Sequence, residues 1–191
     1  MKKANITILG ATGAVGREML KVLEERNFPV GELRCLASAR SVGKRLPFAG
    51  GELSVDEATD AAFAGADIVL GAAENDIARR FAPAIKAAGA VFIDNSSAFR
   101  LEPEVPLVVP EINPQDALHH NGIIANPNCS TIITVVAVAG LCRLSPILSM
   151  NAATYQAVSG AGAGGPIELG QEVAVGVKNN LLHIPATLAP V

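Results

Sequence analysis

Aromatic residues are scarce in this chain: no tryptophan, one tyrosine and six phenylalanines among 191 residues. Half the residues are apolar all the same, and alanine, valine, isoleucine and glycine dominate. That mix suits parallel strands buried between helices. Cysteine is also sparse. Cys35, Cys129 and Cys142 are odd in number and far apart, which excludes a disulfide framework and a zinc-ligand pattern and fits a reducing, cytoplasmic setting. Positive charge is not in excess, since the net charge is −3. There is therefore no electrostatic case for nucleic acid or an anionic membrane as partner. No apolar run reaches the ~18 residues needed to cross a bilayer. MKKANITIL at the start has too short an apolar stretch for a signal peptide, and no cleavage site follows. No internal repeat is visible. The length suits one large domain, or one domain and part of another.

The cysteine that stands out is Cys129, in IANPNCSTI (residues 124–132). Pro127 argues against helix before Asn128, because proline is tolerated only in a helix's first turn and restricts the residue before it. From Cys129 the run CSTIITVVAVAGLC predicts a buried helix, with the cysteine at or near its N-terminus. The macrodipole and the unbonded N–H groups there favour a thiolate, and a thiolate is a nucleophile at neutral pH. Cys35 and Cys142 lie in apolar segments and read as small core residues.

The first 37 residues predict a strand, a glycine turn, a helix and a second strand. Asn5–Leu9 is the first strand. GATGAVG follows, and then the helical pattern REMLKVLEERN. Strand, glycine loop and helix N-terminus together form a pyrophosphate site. The spacing is Gly10-x-x-Gly13-x-x-Gly16, not the common G-x-G-x-x-G. Gly10 would permit the tight turn, Gly13 the approach of phosphate and Gly16 the packing of helix on strand. An ordinary glycine-rich turn is the plainer alternative. The second strand, Leu33–Ala37, runs into Ser38-Ala39-Arg40-Ser41, where an NAD-type site would carry a carboxylate for the ribose 2′-hydroxyl. An arginine and two hydroxyls suit a 2′-phosphate instead, so NADP is favoured over NAD unless Arg40 is only a solvated cation.

Further along, residues 43–51 predict a loop or hairpin, Glu52–Val55 a weak strand and Glu57–Phe63 a short helix. Asp67–Leu70 and Ala90–Ile93 predict strands on either side of a helix, Ile77–Ala88, whose Pro83 counts against its regularity. The second of these strands feeds the polar loop Asp94–Arg100. Ligands of open α/β sheets gather at the carboxyl ends of strands, and Arg100 could grip phosphate or carboxylate with two hydrogen bonds; pairing with Glu102 or Glu104 is the alternative. Leu107–Val109 predicts a short strand and residues 112–118 a helical turn. His119 and His120 read as solvated, with nothing nearby to complete a metal site. Gly122–Ala125 predicts the strand that delivers the cysteine loop. Ile147–Val158 predicts another strand, SGAGAGG (159–165) a glycine-rich turn that approaches a ligand or serves as a linker, and Ile167–Val177 a helix.

Six motifs in order, GATGAVG, LASARSVGKRL, VFIDNSSAFR, VPLVVPEIN, IANPNCSTI and TYQAVSGAG, resemble the amino-terminal half of aspartate-semialdehyde dehydrogenase. N-acetyl-γ-glutamyl-phosphate reductases, with an NPGCY-type cysteine motif, and glyceraldehyde-3-phosphate dehydrogenases, with ASCTTN, fit less well. The resemblance implies an α/β fold: a Rossmann-like doubly wound parallel sheet over residues 1–127, followed at 128–191 by the start of an α+β catalytic and dimerisation domain. It implies reduction of L-aspartyl 4-phosphate by NADPH to the semialdehyde and phosphate, a step in lysine, threonine and methionine biosynthesis. Cys129 would be the nucleophile and Gln156 the residue that orients substrate at it. Arg100, Asn95 and Asn128 would bind substrate and phosphate. Gly10, Thr12, Gly13, Ala14, Val15, Gly16, Ser38, Arg40, Ser41, Ser159 and Gly160 would contact NADP. No metal is implied. The complete family member is expected to be a homodimer or tetramer.

The chain departs from the family in two places. The loop after the Asp67 strand reads GAAENDIARR, where Glu74 and Asn75 are bulkier and more polar than the family's usual glycine-rich turn. The family also continues well past this length, and its remaining half supplies an acid/base histidine, a carboxylate-binding arginine and much of the dimer interface. His183, in LLHIPA, does not match that histidine's motif. The sequence thus leaves two functions open: an NADP-dependent semialdehyde dehydrogenase, or a non-catalytic NADP-binding chain with a reactive cysteine. An incomplete second domain should also expose apolar surface.

Overall fold

The computed structural model describes residues 3–158 and 164–178. Ser159, Gly160 and His183 lie outside the described residues. The chain forms two compact units, residues 1–151 and 152–191.

The first unit is built on a seven-stranded sheet. Its strands are β1 (Ala4–Leu9), β2 (Val30–Ala37), β3 (Arg45–Phe48), β4 (Gly51–Glu57), β5 (Ile68–Gly71), β6 (Val91–Asp94) and β7 (Ile123–Ala125). The spatial order is β3-β4-β2-β1-β5-β6-β7. All pairings are parallel except the β3–β4 hairpin, where Pro47 sits on the sheet edge. The expected doubly wound fold is present. From β1 the chain builds outward in both directions, so the topological switch lies between β1 and β5.

Alternation along the strands explains why both faces are covered. Ile8 and Cys35 belong to one core cluster with Leu20, Leu46 and Val55; Leu9 and Leu36 belong to the other with Phe63, Phe81, Ile85 and Phe92. Successive residues of β1 and β2 point to opposite faces, and β1 is buried from Ile6 to Leu9. One face is covered by α1 (Ala14–Glu25), which buries Gly16 and Leu20 one turn apart. The other is covered by α2 (Asn75–Ala87), which buries Ala78, Phe81, Ala82 and Ile85. The fully buried Phe92 contributes about 1.5–3 kcal/mol relative to an exposed ring.

Local signals fix the helix ends. α1 stops because Asn27 takes a left-handed conformation, φ 47°. Its N–H donates to Glu24, and the Phe28 N–H donates back to Leu23, the paired bonds that close a helix C-terminus. Pro83 is accommodated inside α2 at the cost of one backbone donor.

Several expectations need correcting. Residues 147–158 form no strand, because none of the described residues pairs with them and a strand depends on its neighbour's hydrogen bonds. The expected strand at Leu107–Val109 reduces to a single bridge, Leu107 to Ala125. The short helix expected at 57–63 is a 3₁₀ turn, Asp60–Phe63, preceded by the end of β4. The helix at Cys129 exists as α3 (Cys129–Cys142), but none of its residues is buried. A helix apolar on every side has no preferred face, and burial needs a covering layer that the described residues do not supply. For the same reason Cys142 is exposed, while Cys35 is buried as expected.

The second unit holds α4 (Gly164–Lys178), which includes the helix expected at 167–177. Among the described residues no helix is long and apolar enough to cross a membrane, and no cluster of side chains could hold a metal ion.

Candidate active site

The predicted site residues of the first unit collect along the carboxyl edge of the sheet, in two neighbouring places. The first is the switch point. Gly10 leaves β1 with φ 88°, in the left-handed region that glycine enters without strain. A Cβ there would lie 2.6 Å from the carbonyl oxygen of Ala72, just beyond β5. A Cβ on Gly16 would lie 2.5 Å from the Gly10 carbonyl oxygen, so α1 rests directly on the turn. A Cβ on Gly13 would meet only that same oxygen, at 3.4 Å, so this side of the loop is open. Gly13 precedes the first turn of α1, and no side chain caps it. Gly13, Ala14 and Val15 are exposed and Thr12 half-buried. Open space, a helix N-terminus without a cap and exposed small residues are what a bound pyrophosphate needs. The arrangement fits a dinucleotide.

Beside it, Ser38–Ser41 follows β2. Ala39–Ser41 is a 3₁₀ turn with Ser38 and Arg40 exposed and Ser41 buried. The Arg40 side chain is available to a ligand at this edge, whereas the Ser41 hydroxyl has little access.

The second place lies at the ends of β6 and β7. β7 delivers Asn126, Pro127 and Asn128, and α3 begins at Cys129. Asn128 caps α3: its Oδ1 accepts from the N–H groups of Ser130 (3.0 Å) and Thr131 (3.4 Å). Asparagine is among the strongest N-cap residues because its short side chain reaches those donors. Cys129 is the first helical residue and is exposed.

Arg100 stands next to this loop but does not pair with Glu102, which instead meets Arg79. It donates from Nε to the carbonyl of Asn126 (2.8 Å) and from Nη2 to the carbonyl of Asn95 (3.0 Å). Two of its donors therefore hold backbone, and none of the described hydrogen bonds uses its Nη1. Asn126 Nδ2 donates to Asn95 Oδ1.

Under this loop lies Asp94, the last residue of β6 and fully buried. Its carboxylate accepts from the Ser96 N–H (3.1 Å) and hydroxyl (2.6 Å). Burial pushes the Asp94 carboxyl above the ordinary carboxylate range, and the Ser96 hydrogen bonds and the charges of Arg100 and Arg79 offset this only in part.

Sequence reasoning missed Asn126, Asp94 and the role of Asn75. Asn75 exchanges hydrogen bonds with Ser97, its Oδ1 accepting from the Ser97 N–H (2.9 Å) and its Nδ2 donating to the Ser97 hydroxyl (2.9 Å). It ties the loop after β5 to the loop after β6. The one signal for Asn126 was its place in NPN, between a strand and a proline. Gln156 lies in the second unit, beside Ala157 and Val158 in a cleft that also involves Gly165, Glu168, Leu169 and Glu172.

Comparison with known proteins gives this edge a family. The family described as semialdehyde dehydrogenase, NAD binding domain, matches residues 5–120. Aspartate-semialdehyde dehydrogenase of Synechocystis sp. is 56% identical over 158 residues, covering 83% of this chain and 47% of that protein. The Bacillus subtilis enzyme of the same name is 48% identical over 158 residues, covering 83% and 46%. The crystal structure of aspartate semialdehyde dehydrogenase II from Vibrio cholerae superposes with a TM-score of 0.86 at 42% identity, over 99% of this chain and 57% of that one. The chain spans about half the length of the curated relatives it matches. With its glycine loop at the switch point of a doubly wound sheet, and these matches in sequence and structure, the chain belongs to the semialdehyde dehydrogenase family and corresponds to the amino-terminal, NAD-binding part of aspartate-semialdehyde dehydrogenase.

Proposed function

We propose that the chain serves the NADPH-dependent reduction of L-aspartyl 4-phosphate to the semialdehyde and phosphate, with Cys129 as nucleophile. The observation that carries this reading is the position of Cys129: an exposed thiol on the first residue of a capped helix, on the same sheet edge as the dinucleotide cradle. The thiolate would attack the acyl carbon, the bond from carbon to the phosphate oxygen would break, and phosphate would leave with the electron pair. A thioester on Cys129 would remain. When bound, NADPH supplies the hydride that reduces it, and the thiolate is released as the carbon–sulfur bond breaks. Arg100, through Nη1, would hold the phosphate, with Asn95 and Asn128 beside it. Asn128 would use its Nδ2, because its Oδ1 serves the helix cap. Gln156 would orient the substrate.

Gly10, Thr12, Gly13, Ala14, Val15 and Gly16 would hold the pyrophosphate. Arg40 with Ser38 would bind the 2′-phosphate that distinguishes NADP from NAD, and Ser159 and Gly160 would complete the contacts. The cofactor domain would end at residue 127 and the catalytic domain begin at 128. Work in the cytoplasm, as a homodimer or tetramer in the complete family member, belongs to the same reading.

One observation favours the second reading, a dinucleotide-binding chain without turnover. The described histidines, His119 and His120, precede the amino end of β7, while Cys129 follows its carboxyl end. Among the described residues no histidine therefore stands beside the sulfur in the chain's order along the sheet, and a general acid/base contributes about 10²–10⁴-fold in rate. Incubation with NADPH and the acyl phosphate, and the reverse reaction with NADP⁺, semialdehyde and phosphate, separates the two. Turnover abolished by Cys129→Ser is expected from the dehydrogenase reading. Measured NADP binding with no turnover in either direction would sink it for this chain.

A further inference from the structure

We infer that Asn126 is a positioning residue for Cys129: through a clamp onto the end of β6 it fixes the point at which the cysteine helix starts.

Asn126 is the first residue after β7, and three of its polar groups are engaged with the neighbouring loop. Its N–H donates to the carbonyl of Asp94 (2.9 Å). Its carbonyl accepts from Arg100 Nε (2.8 Å). Its Nδ2 donates to Asn95 Oδ1. Arg100 closes the circuit by donating to the Asn95 carbonyl (3.0 Å). The side-chain bonds are part-buried, where competing water is partly excluded and a hydrogen bond holds geometry better than at the surface. Between this clamp and the sulfur stand only two residues. Pro127 is buried and has a fixed φ, and Asn128 is tied to the first turn of α3. A displacement at Asn126 therefore passes to Cys129 with little slack. Arg100 and Asn95 acquire a second duty, because they would hold the nucleophile's loop as well as the anion.

This inference rests on Cys129 being the reactive thiol, and its test keeps the two claims apart. The three cysteines supply the controls. Cys35 is buried and reports unfolding; Cys142 is exposed at the other end of the same helix and reports general access. Native alkylation with iodoacetamide, quantified at each cysteine by peptide mass, gives the ratio of the Cys129 rate to the Cys142 rate. If the unaltered chain shows equal rates, the nucleophile reading itself fails. If Cys129 is faster, Asn126→Ala should lower the ratio about fivefold, the scale of one hydrogen bond's net worth, with Cys35 still protected. The double variant Asn126→Ala/Asn95→Ala should lose no more than the single one, because both remove the same bond. A ratio unchanged in Asn126→Ala, or additive losses in the double variant, would overturn the inference. Should Asn126→Ala leave Cys35 reactive, Asn95→Ala removes the bond from its other side, and the same ratio decides.

Discussion

Gly16 of α1 faces the carbonyl oxygen of Gly10 so closely that a Cβ would lie 2.5 Å from it, and 2.7 Å from the Cα of Ala11. Both neighbours are backbone and cannot swing away. Gly16→Ala should therefore lift the helix off the turn and cost about 1–3 kcal/mol, as overpacking does. Urea unfolding, read as a fall in midpoint at constant slope, checks this. Gly13→Ala should behave in the opposite way. Its added methyl meets nothing closer than 3.4 Å, so folding should be nearly unchanged, but the methyl would fill the open side where phosphate is expected. NADP affinity should fall in both variants, and stability only in Gly16→Ala.

Arg40 should set the choice of cofactor. It is exposed on a turn at the end of β2, with no carboxylate from Ser38 to Ser41. Arg40→Ala should weaken NADP binding roughly tenfold, the lower range for a hydrogen bond to a charged group, and leave NAD binding unchanged. Dissociation constants for the two dinucleotides, measured by fluorescence or calorimetry, give the ratio. Equal losses for both would refute the assignment.

Asn128→Ala should uncap α3 at a cost of about 1 kcal/mol. The effect should appear first as faster amide exchange at Ser130 and Thr131, whose N–H groups the Asn128 side chain receives. Asn128→Asp keeps the accepting oxygen and should preserve protection.

Asp94 should make stability fall as pH rises. Its folded carboxyl lies above the ordinary value of 3.8, mainly through burial. The folded chain therefore keeps a proton that the unfolded chain has already lost, and the term that favours folding at low pH is lost as pH rises through the folded pKa. Asp94→Asn retains an oxygen to accept from Ser96 and cannot ionise. Compared with the parent chain, it should gain stability as pH rises from about 4 toward neutrality and show little difference below that range. Urea midpoints of both proteins across this pH range test the sign; a variant that loses stability relative to the parent as pH rises would contradict it.

Cys35 should resist alkylation in the native state. Burial pushes its thiol up to about 11, with the Asp56 carboxylate adding to the effect. Cys129 and Cys142 are exposed and should react with iodoacetamide at neutral pH, whereas Cys35 should react only in denaturant. Peptide mapping after a short pulse distinguishes them.

The sequence by itself determined the sheet, the glycine turn and the start of the cysteine helix. Each rests on short-range chemistry: the short run NITIL, glycine where φ must be positive, and a proline that keeps helix from starting before Asn128. It also carried the family, because six motifs in a fixed order leave few alternatives. Tertiary structure decided where one element's fate depends on another. Residues 147–158 have the composition of a strand but no described strand pairs with them, and α3 is apolar on every side yet has no covering layer among the described residues. The same is true of the site. Arg100 reads in sequence as a candidate anion grip or a partner of Glu102 or Glu104, and only the fold shows that it also braces the carbonyls of Asn95 and Asn126. These partners lie 5 and 26 residues away, and only the parallel alignment of β6 with β7 brings the distant one within a hydrogen bond.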